Sequence, residues 1–316
     1  FSVSYEHGRY LQRLLAKHGR LRLRLHSTDQ IQQFTSWNVI GDLPGSQHPD
    51  EIIMLGSHYD GHDIAQGAAD PASGTVAVME AARVLAQYAA DLPRTVRFAL
   101  WGVEEIGLIG STRHVAMHAD ALDNIRFYLN MDMAGAIENK DIVLNQWPEL
   151  APIFESWAQE MALRFKVGQS VNAHSDHYPF LMAGVPTGGI GDLSARSGRG
   201  YGHTRYDTLD KVQPRGLREA AVLAARLALR MAHSDHWPAA RRSADFLAGK
   251  VGREGCYVGD DYRQPNPVSS SWLILSLLDY YRAFDNQAAG GIAFRCADQL
   301  LTRQLSTPGD IYRDGR

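Results

Sequence analysis

A chain of 316 residues has room for one large domain and a small one. With 45% hydrophobic residues, 21% charged residues and a formal net charge of −3, it is neither a disordered segment nor a strongly basic partner for nucleic acid or a membrane surface. Its two cysteines, Cys256 and Cys296, exclude a disulfide framework, and no apolar run approaches the roughly 20 residues of a membrane span.

In chain order, Tyr5 to Leu25 predicts an amphipathic helix followed by a short basic strand. Trp37 to Gly41 predicts a short strand that ends near the turn Pro44-Gly45. Ile52 to Gly56 is an unbroken apolar run, the pattern of a strand buried on both faces. A polar, Gly-rich loop follows from Ser57 to Ser73, then a helix from Gly74 to Ala90 with Val76, Met79, Ala82, Val84 and Leu85 as its apolar stripe. Thr95 to Trp101, Arg126 to Met131 and Val185 to Ile190 predict further strands. Ile106 to His118, Leu150 to Phe165 and Leu217 to Ala232 predict helices between and after them. This alternation predicts an α/β fold, a mostly parallel (mixed) sheet with helices on both faces. Such sheets bind ligands at the carboxyl ends of their strands.

The character changes after Trp237-Pro238. Ala239 to Lys250, Ser270 to Phe284 and Gly291 to Gln304 predict a small all-α C-terminal segment. Within it Ala244-Asp245-x-Leu247 recurs as Ala297-Asp298-x-Leu300, the mark of a helical repeat. The expected organisation is therefore a partial segment at 1–35, a catalytic domain at 36–235 and a helical segment at 236–316.

Five segments carry chemistry: His58-Tyr59-Asp60, Ala69 to Gly74, Glu104-Glu105, Asn130-Met131-Asp132 and Gly202-His203-Thr204. Each alone reads as a cap, a turn or a solvated face. Together they supply two histidines, two aspartates and a glutamate, donors that suit zinc, nearly all directly after a buried strand. Two zinc ions roughly 3.5–4 Å apart need one bridging carboxylate and about two further protein ligands each. Five side chains with one shared meet that count, and Glu104 is left free to take a proton.

These residues resemble the co-catalytic zinc exopeptidases related to bacterial leucyl aminopeptidase. That family also holds plasma glutamate carboxypeptidase, glutaminyl cyclases and the non-enzymatic transferrin receptor. The resemblance runs from about Trp37 to Ala232. It rests on His58-x-Asp60, Asp70-x-x-Ser73-Gly74, Trp101-Gly102-x-Glu104-Glu105-x-Gly107, Asn130-x-Asp132, Ser175-Asp176-His177 and His203-Thr204-x-x-Asp207-Thr208, in family order. It implies that Asp70 bridges two zinc ions, that His58 and Asp132 complete one, that Glu105 and His203 complete the other, and that Glu104 is the general base. It also implies that Asp60 orients the His58 ring. Two departures stand out. Ala173 occupies the position of an oxyanion-holding Tyr, for which His174, Tyr178 or Tyr201 can substitute. Pro71 follows the bridging aspartate where relatives have a polar residue, and the resemblance implies a cis bond there.

The expected reaction is release of a terminal residue from a peptide, by an aminopeptidase first. Arg196 and Arg199 suit a substrate carboxylate and leave a carboxypeptidase or dipeptidase open. A one-zinc glutaminyl cyclase and a metal-free binding module are the further alternatives. Phe1 to Leu25 resembles the tail of a protease-associated domain, and Ala239 to Arg316 resembles α/α-toroid repeats. Both point to a piece of a longer protein, secreted or periplasmic, without nucleic-acid or membrane partners.

Overall fold

The computed structural model describes residues 3, 5–26, 28, 30, 32–194 and 200–237. The expected C-terminal helices, their repeat and Arg196 and Arg199 lie outside the described residues. Two compact units form, Phe1–Thr35 and the chain from Ser36 on.

The first unit holds helix α1 (Tyr5–His18), with Glu6 in its first turn and Lys17 and His18 in its last, the charge order that the helix dipole favours. Gly19 ends it at φ 68°, its amide donating to the Leu15 carbonyl at 2.7 Å. The basic strand expected next does not form. Residues 20–26 are irregular, and Leu23 and Leu25 are exposed. Alternating Arg and Leu suit an edge strand, but among the described residues of this unit no strand is present to pair with it.

The second unit is built on a seven-stranded mixed sheet in the order β1-β3-β2-β4-β7-β5-β6. The strands are β1 (Val39–Leu43), β2 (His48–His58), β3 (Arg94–Trp101), β4 (Ile125–Asn130), β5 (Asp141–Leu144), β6 (Val167–Gln169) and β7 (Thr187–Gly191). The four central strands β3, β2, β4 and β7 run parallel, while β1 and β5 pair antiparallel to their neighbours β3 and β7. Successive side chains of β2 enter opposite cores. Ile53 and Leu55 pack with helices α2 (Ser73–Leu85), α4 (Ala151–Glu160) and α6 (Pro214–His233). Ile52 and Met54 pack with Phe180 of α5 (His177–Met182) and Val115 of α3 (Ile109–Met117). Helices thus cover both faces, and each fully buried Ile, Leu or Phe contributes about 1.5–3 kcal/mol.

Several expected elements end elsewhere. On α2 the buried face is Gly74, Ala77, Val78, Ala81 and Leu85, whereas Val76 and Met79 are exposed. Small residues win that face because the helix lies close to its neighbours: a Cβ on Gly74 would meet the Met131 carbonyl oxygen at 2.1 Å. Helix α4 stops at Glu160 because Ala162 adopts φ 52°. Strands β5 and β6 and helix α5 are too short to show a periodicity. Past α6, Arg94 donates to the Ala232 carbonyl and to Asp235, and Trp237 packs against Phe127 at 5.9 Å and Trp157 at 6.4 Å. The core thus extends beyond residue 235. Among the described residues no helix is long and apolar enough to cross a membrane.

Candidate metal centre

Strands β2, β3 and β4 end side by side, with His58 in register with Trp101 and Gly56 with Asn130. Their carboxyl ends therefore deliver His58, Glu104-Glu105 and Asp132 to one edge. Asp70 arrives from the π-helical turn Ala68–Ala72 that leads into α2, with a cis Asp70-Pro71 bond. His203 arrives from the loop before α6. Left-handed backbone marks this edge. Val103, just before Glu104, has φ 63°, Met133, just after Asp132, has φ 56°, and His203 itself has φ 60°. For a β-branched residue such as Val103 that conformation is a true outlier, of the kind held in place at functional sites.

The structure brings all six expected residues together. His58 Nε2 lies 3.3 Å from Asp70 Oδ1, 3.5 Å from Asp132 Oδ1 and 3.9 Å from Glu104 Oε2. His203 Nε2 lies 3.1 Å from Asp70 Oδ2 and 3.1 Å from Glu105 Oε2. The two oxygens of Asp70 thus face two different imidazoles.

Neighbouring groups fix each donor. His58 Nδ1 lies 2.8 Å from the Asp60 backbone carbonyl, and the Asp60 carboxylate stands farther off at 3.7 Å. That carboxylate instead accepts the backbone N–H groups of Glu104 at 3.0 Å and Glu105 at 3.2 Å. Asp60 therefore orients the ring mainly through its main chain and uses its side chain to shape the Glu-Glu turn. Asp207, 2% exposed, does the same for the opposite loop, accepting the N–H groups of Ala69 at 2.6 Å and Asp70 at 3.0 Å. A one-way chain of hydrogen bonds ends on Asp132. The Trp101 indole donates to Tyr128 at 2.8 Å, Tyr128 to Asn130 at 3.1 Å, Asn130 to Ser175 at 2.8 Å and Ser175 to Asp132 Oδ2 at 2.8 Å. The indole only donates, so the direction of every later bond follows from it.

Electrostatically the site is crowded with carboxylates. Burial pushes Glu104 up to about 9; His58 opposes this, while Asp132, Asp176 and Glu105 add to it. Burial and then Asp70 push Glu105 up to about 7. Burial acts to lower the His58 pKa, but the nearby carboxylates of Asp132, Asp60 and Asp70 outweigh that and raise it. His58 Nε2 and Glu105 Oε1 are buried without a hydrogen-bond partner. Crowded carboxylates and orphaned donors aimed at common points fit metal cations. Among the described residues three groups have ligand atoms close enough to hold one: His58-Asp70-Glu105, His58-Glu104-Asp132 and His62-Glu105-His203.

The candidate substrate contacts divide. Tyr178 is 5% exposed and packs in the wall with Leu108, Ala173 and Leu181. His174 is half-buried, and Tyr201 is exposed with Lys211 Nζ 5.5 Å from its ring centre. Sequence reasoning did not single out His62. The only available signal was a second histidine four residues after His58 in the same loop.

Residues 38–228 match the model of peptidase family M28. Leupeptin-inactivating enzyme 1 of Streptomyces exfoliatus is 34% identical over 52% of this chain and 38% of its own length. Leucine aminopeptidase 2 of Trichophyton equinum is 30% identical over 60% of this chain and 40% of its own. A zinc aminopeptidase from Bacillus subtilis superposes with a TM-score of 0.54 at 25% identity, covering 65% of this chain and 52% of that one. The chain thus spans about two-fifths of the length of these curated relatives. With the match running from β1 through most of α6, and so across every strand and loop that builds the centre, the chain belongs to peptidase family M28.

Proposed function

We propose that the protein is a zinc exopeptidase holding two zinc ions and releasing residues from the amino terminus of peptides. The observation that carries this reading is the Asp70 carboxylate, whose Oδ1 faces His58 and whose Oδ2 faces His203. A carboxylate spanning two donor sets is what a pair of metals needs. His58 and Asp132 would hold one ion with Asp70, and Glu105 and His203 the other. When bound, the two ions would supply Lewis acidity and a water acidified toward neutrality.

The chain's own residues then have distinct tasks. Glu104 is buried and 3.9 Å from His58 Nε2, and shares the donor group of His58 and Asp132 without being needed for the ligand count. It takes a proton from the attacking water and returns it to the departing amine. Asp60 and Asp207 hold the two donor loops through backbone N–H groups.

Metal analysis of the full chain together with a peptide panel tests the reading. About two zinc ions per chain and stepwise loss of amino-terminal residues support it. Loss of carboxyl-terminal residues instead would make the protein a carboxypeptidase. One zinc ion with cyclisation of amino-terminal glutamine would make it a cyclase, and absence of bound metal at saturating zinc would leave a binding module.

A further inference from the structure

His62 stands beside Glu105 and His203, the pair proposed to hold the second, outer ion. Its Nε2 lies 3.0 Å from Glu105 Oε2, which is itself 3.1 Å from His203 Nε2. The two imidazoles stand nearly edge to face, with ring centres 4.3 Å apart and planes at 69°. His62 Nε2 is buried and has no hydrogen-bond partner, although a carboxylate oxygen stands within reach. The ring nitrogen therefore faces the space that it shares with Glu105 and His203 and does not make an N–H···O bond. Donors about 2.0–2.1 Å from a tetrahedral zinc are about 3.3 Å from one another, close to the 3.0 Å and 3.1 Å that separate Glu105 Oε2 from His62 and His203. The loop that carries His62 is tied down on both sides: Tyr59 N–H donates to the Trp101 carbonyl at 3.0 Å, and Gln66 N–H to the Asp207 carbonyl at 3.2 Å.

We propose that His62 is a metal ligand, giving the outer position four protein donors in His62, Glu105, His203 and Asp70. The inner position keeps three, His58, Asp70 and Asp132. Four protein donors are the mark of a closed zinc site, and three leave a place for water or substrate. The outer ion is then the tightly held one and the inner ion the exchangeable, substrate-facing one. Two imidazoles also make the outer position select zinc or cobalt over magnesium or manganese.

The proposal rests on the two-metal reading, and the experiment separates the two. Zinc affinity is measured on the full chain by competition with a chromophoric chelator, for wild type, His62→Ala, His203→Ala and Asp132→Ala. If His62 coordinates, His62→Ala weakens one of two zinc classes by more than the about 10–100-fold that loss of an outer-sphere partner costs, and leaves the other unchanged. Added imidazole restores the lost class. His62→Cys, loaded with Co(II), gives a near-ultraviolet thiolate-to-cobalt band that wild type lacks. The proposal is overturned if His62→Ala keeps both classes at wild-type affinity, or if the Cys variant binds Co(II) without that band, while His203→Ala and Asp132→Ala each lose one class. If those two variants leave zinc binding unchanged as well, the two-metal reading itself fails.

Discussion

The inner and outer halves of the metal centre are built by different means. The inner half, His58, Glu104 and Asp132, stands at or just past the ends of β2, β3 and β4, and His58 is only 1% exposed. Its donors are locked by neighbours within the fold, His58 by the Asp60 carbonyl and Asp132 by the chain from Trp101 through Ser175. The outer half, His62, Glu105 and His203, comes from loops, with the His62 and His203 side chains 37% and 34% exposed. Main-chain capture by the Asp60 carboxylate holds Glu105 along with Glu104, and capture by Asp207 holds the shared Asp70. For the proposed activity, strand ends would give precision where a reacting water is aimed, and loops would leave a way in for a chain end.

Asp70 belongs to both halves, so its loss should have the largest effect. Asp70→Ala is expected to remove both metals and bring peptide hydrolysis below detection, read by metal analysis and peptide assay on one sample. Retention of either metal at wild-type affinity would break the shared-ligand picture. Glu104→Gln should act on the inner half alone. Hydrolysis falls by about 10²–10⁴-fold while metal content stays, because Gln fills the same space and accepts no proton. Near-wild-type turnover with metal present would remove Glu104 from its role.

The same division governs what could be read from the sequence. Inner residues follow apolar strands directly, and a run such as Ile52 to Gly56 announces both the strand and the place where its end must lie. The sheet, its helices on both faces and the strand-end residues His58 and Asp132 were legible for that reason, while the roles of Asp70, Glu105 and His203 came from the family resemblance. His62 was not, because a loop histidine has no periodicity, and only the path of residues 58–67 turns it back onto Glu105. Nor could the sequence say that the Asp60 side chain reaches the Glu104-Glu105 amides or that Asp207 holds Asp70. Both contacts are to backbone N–H groups, which carry no residue identity. Of the expected α2 stripe Leu85 is buried and Ala82 packs on the core, but Val76 and Met79 are exposed because packing on α2 selects small residues over large apolar ones.

Ser175→Ala sharpens the comparison at a smaller scale. It cuts the last link to Asp132, leaving Asp132 Oδ2 without its hydroxyl donor and Asn130 Nδ2 without its acceptor. Metal affinity at the inner position should fall by about 10–100-fold, with the outer class unmoved. Asp207→Asn is the contrast. It loosens the backbone of Asp70, and through the shared carboxylate should weaken both classes. Equal losses at both positions for Ser175→Ala would show that the halves are not separable.

The smallest effect comes from behind the inner half. His114 is 8% exposed and packs with Trp101, the head of the hydrogen-bond chain, at 5.1 Å between ring centres, with His118 stacked on it at 4.2 Å. Burial first, then His118 and Arg97, hold its pKa down at about 4. Between about pH 6.5 and that value the unfolded chain binds a proton at this ring that the folded chain does not. Stability is therefore fully present above about pH 6.5 and is lost as pH falls toward 4. The shift is worth on the order of 1–3 kcal/mol, a few degrees in the melting midpoint for a unit of this size. His114→Phe keeps a flat ring against Trp101 and cannot be protonated. Melting curves of the zinc-loaded protein from pH 7 to pH 4 should be flatter for the variant than for wild type by that amount. The Phe side chain adds some volume, which lowers both ends of the curve alike and leaves the slope to be compared. Identical slopes for the two proteins would mean that the acid sensitivity of the inner half arises elsewhere.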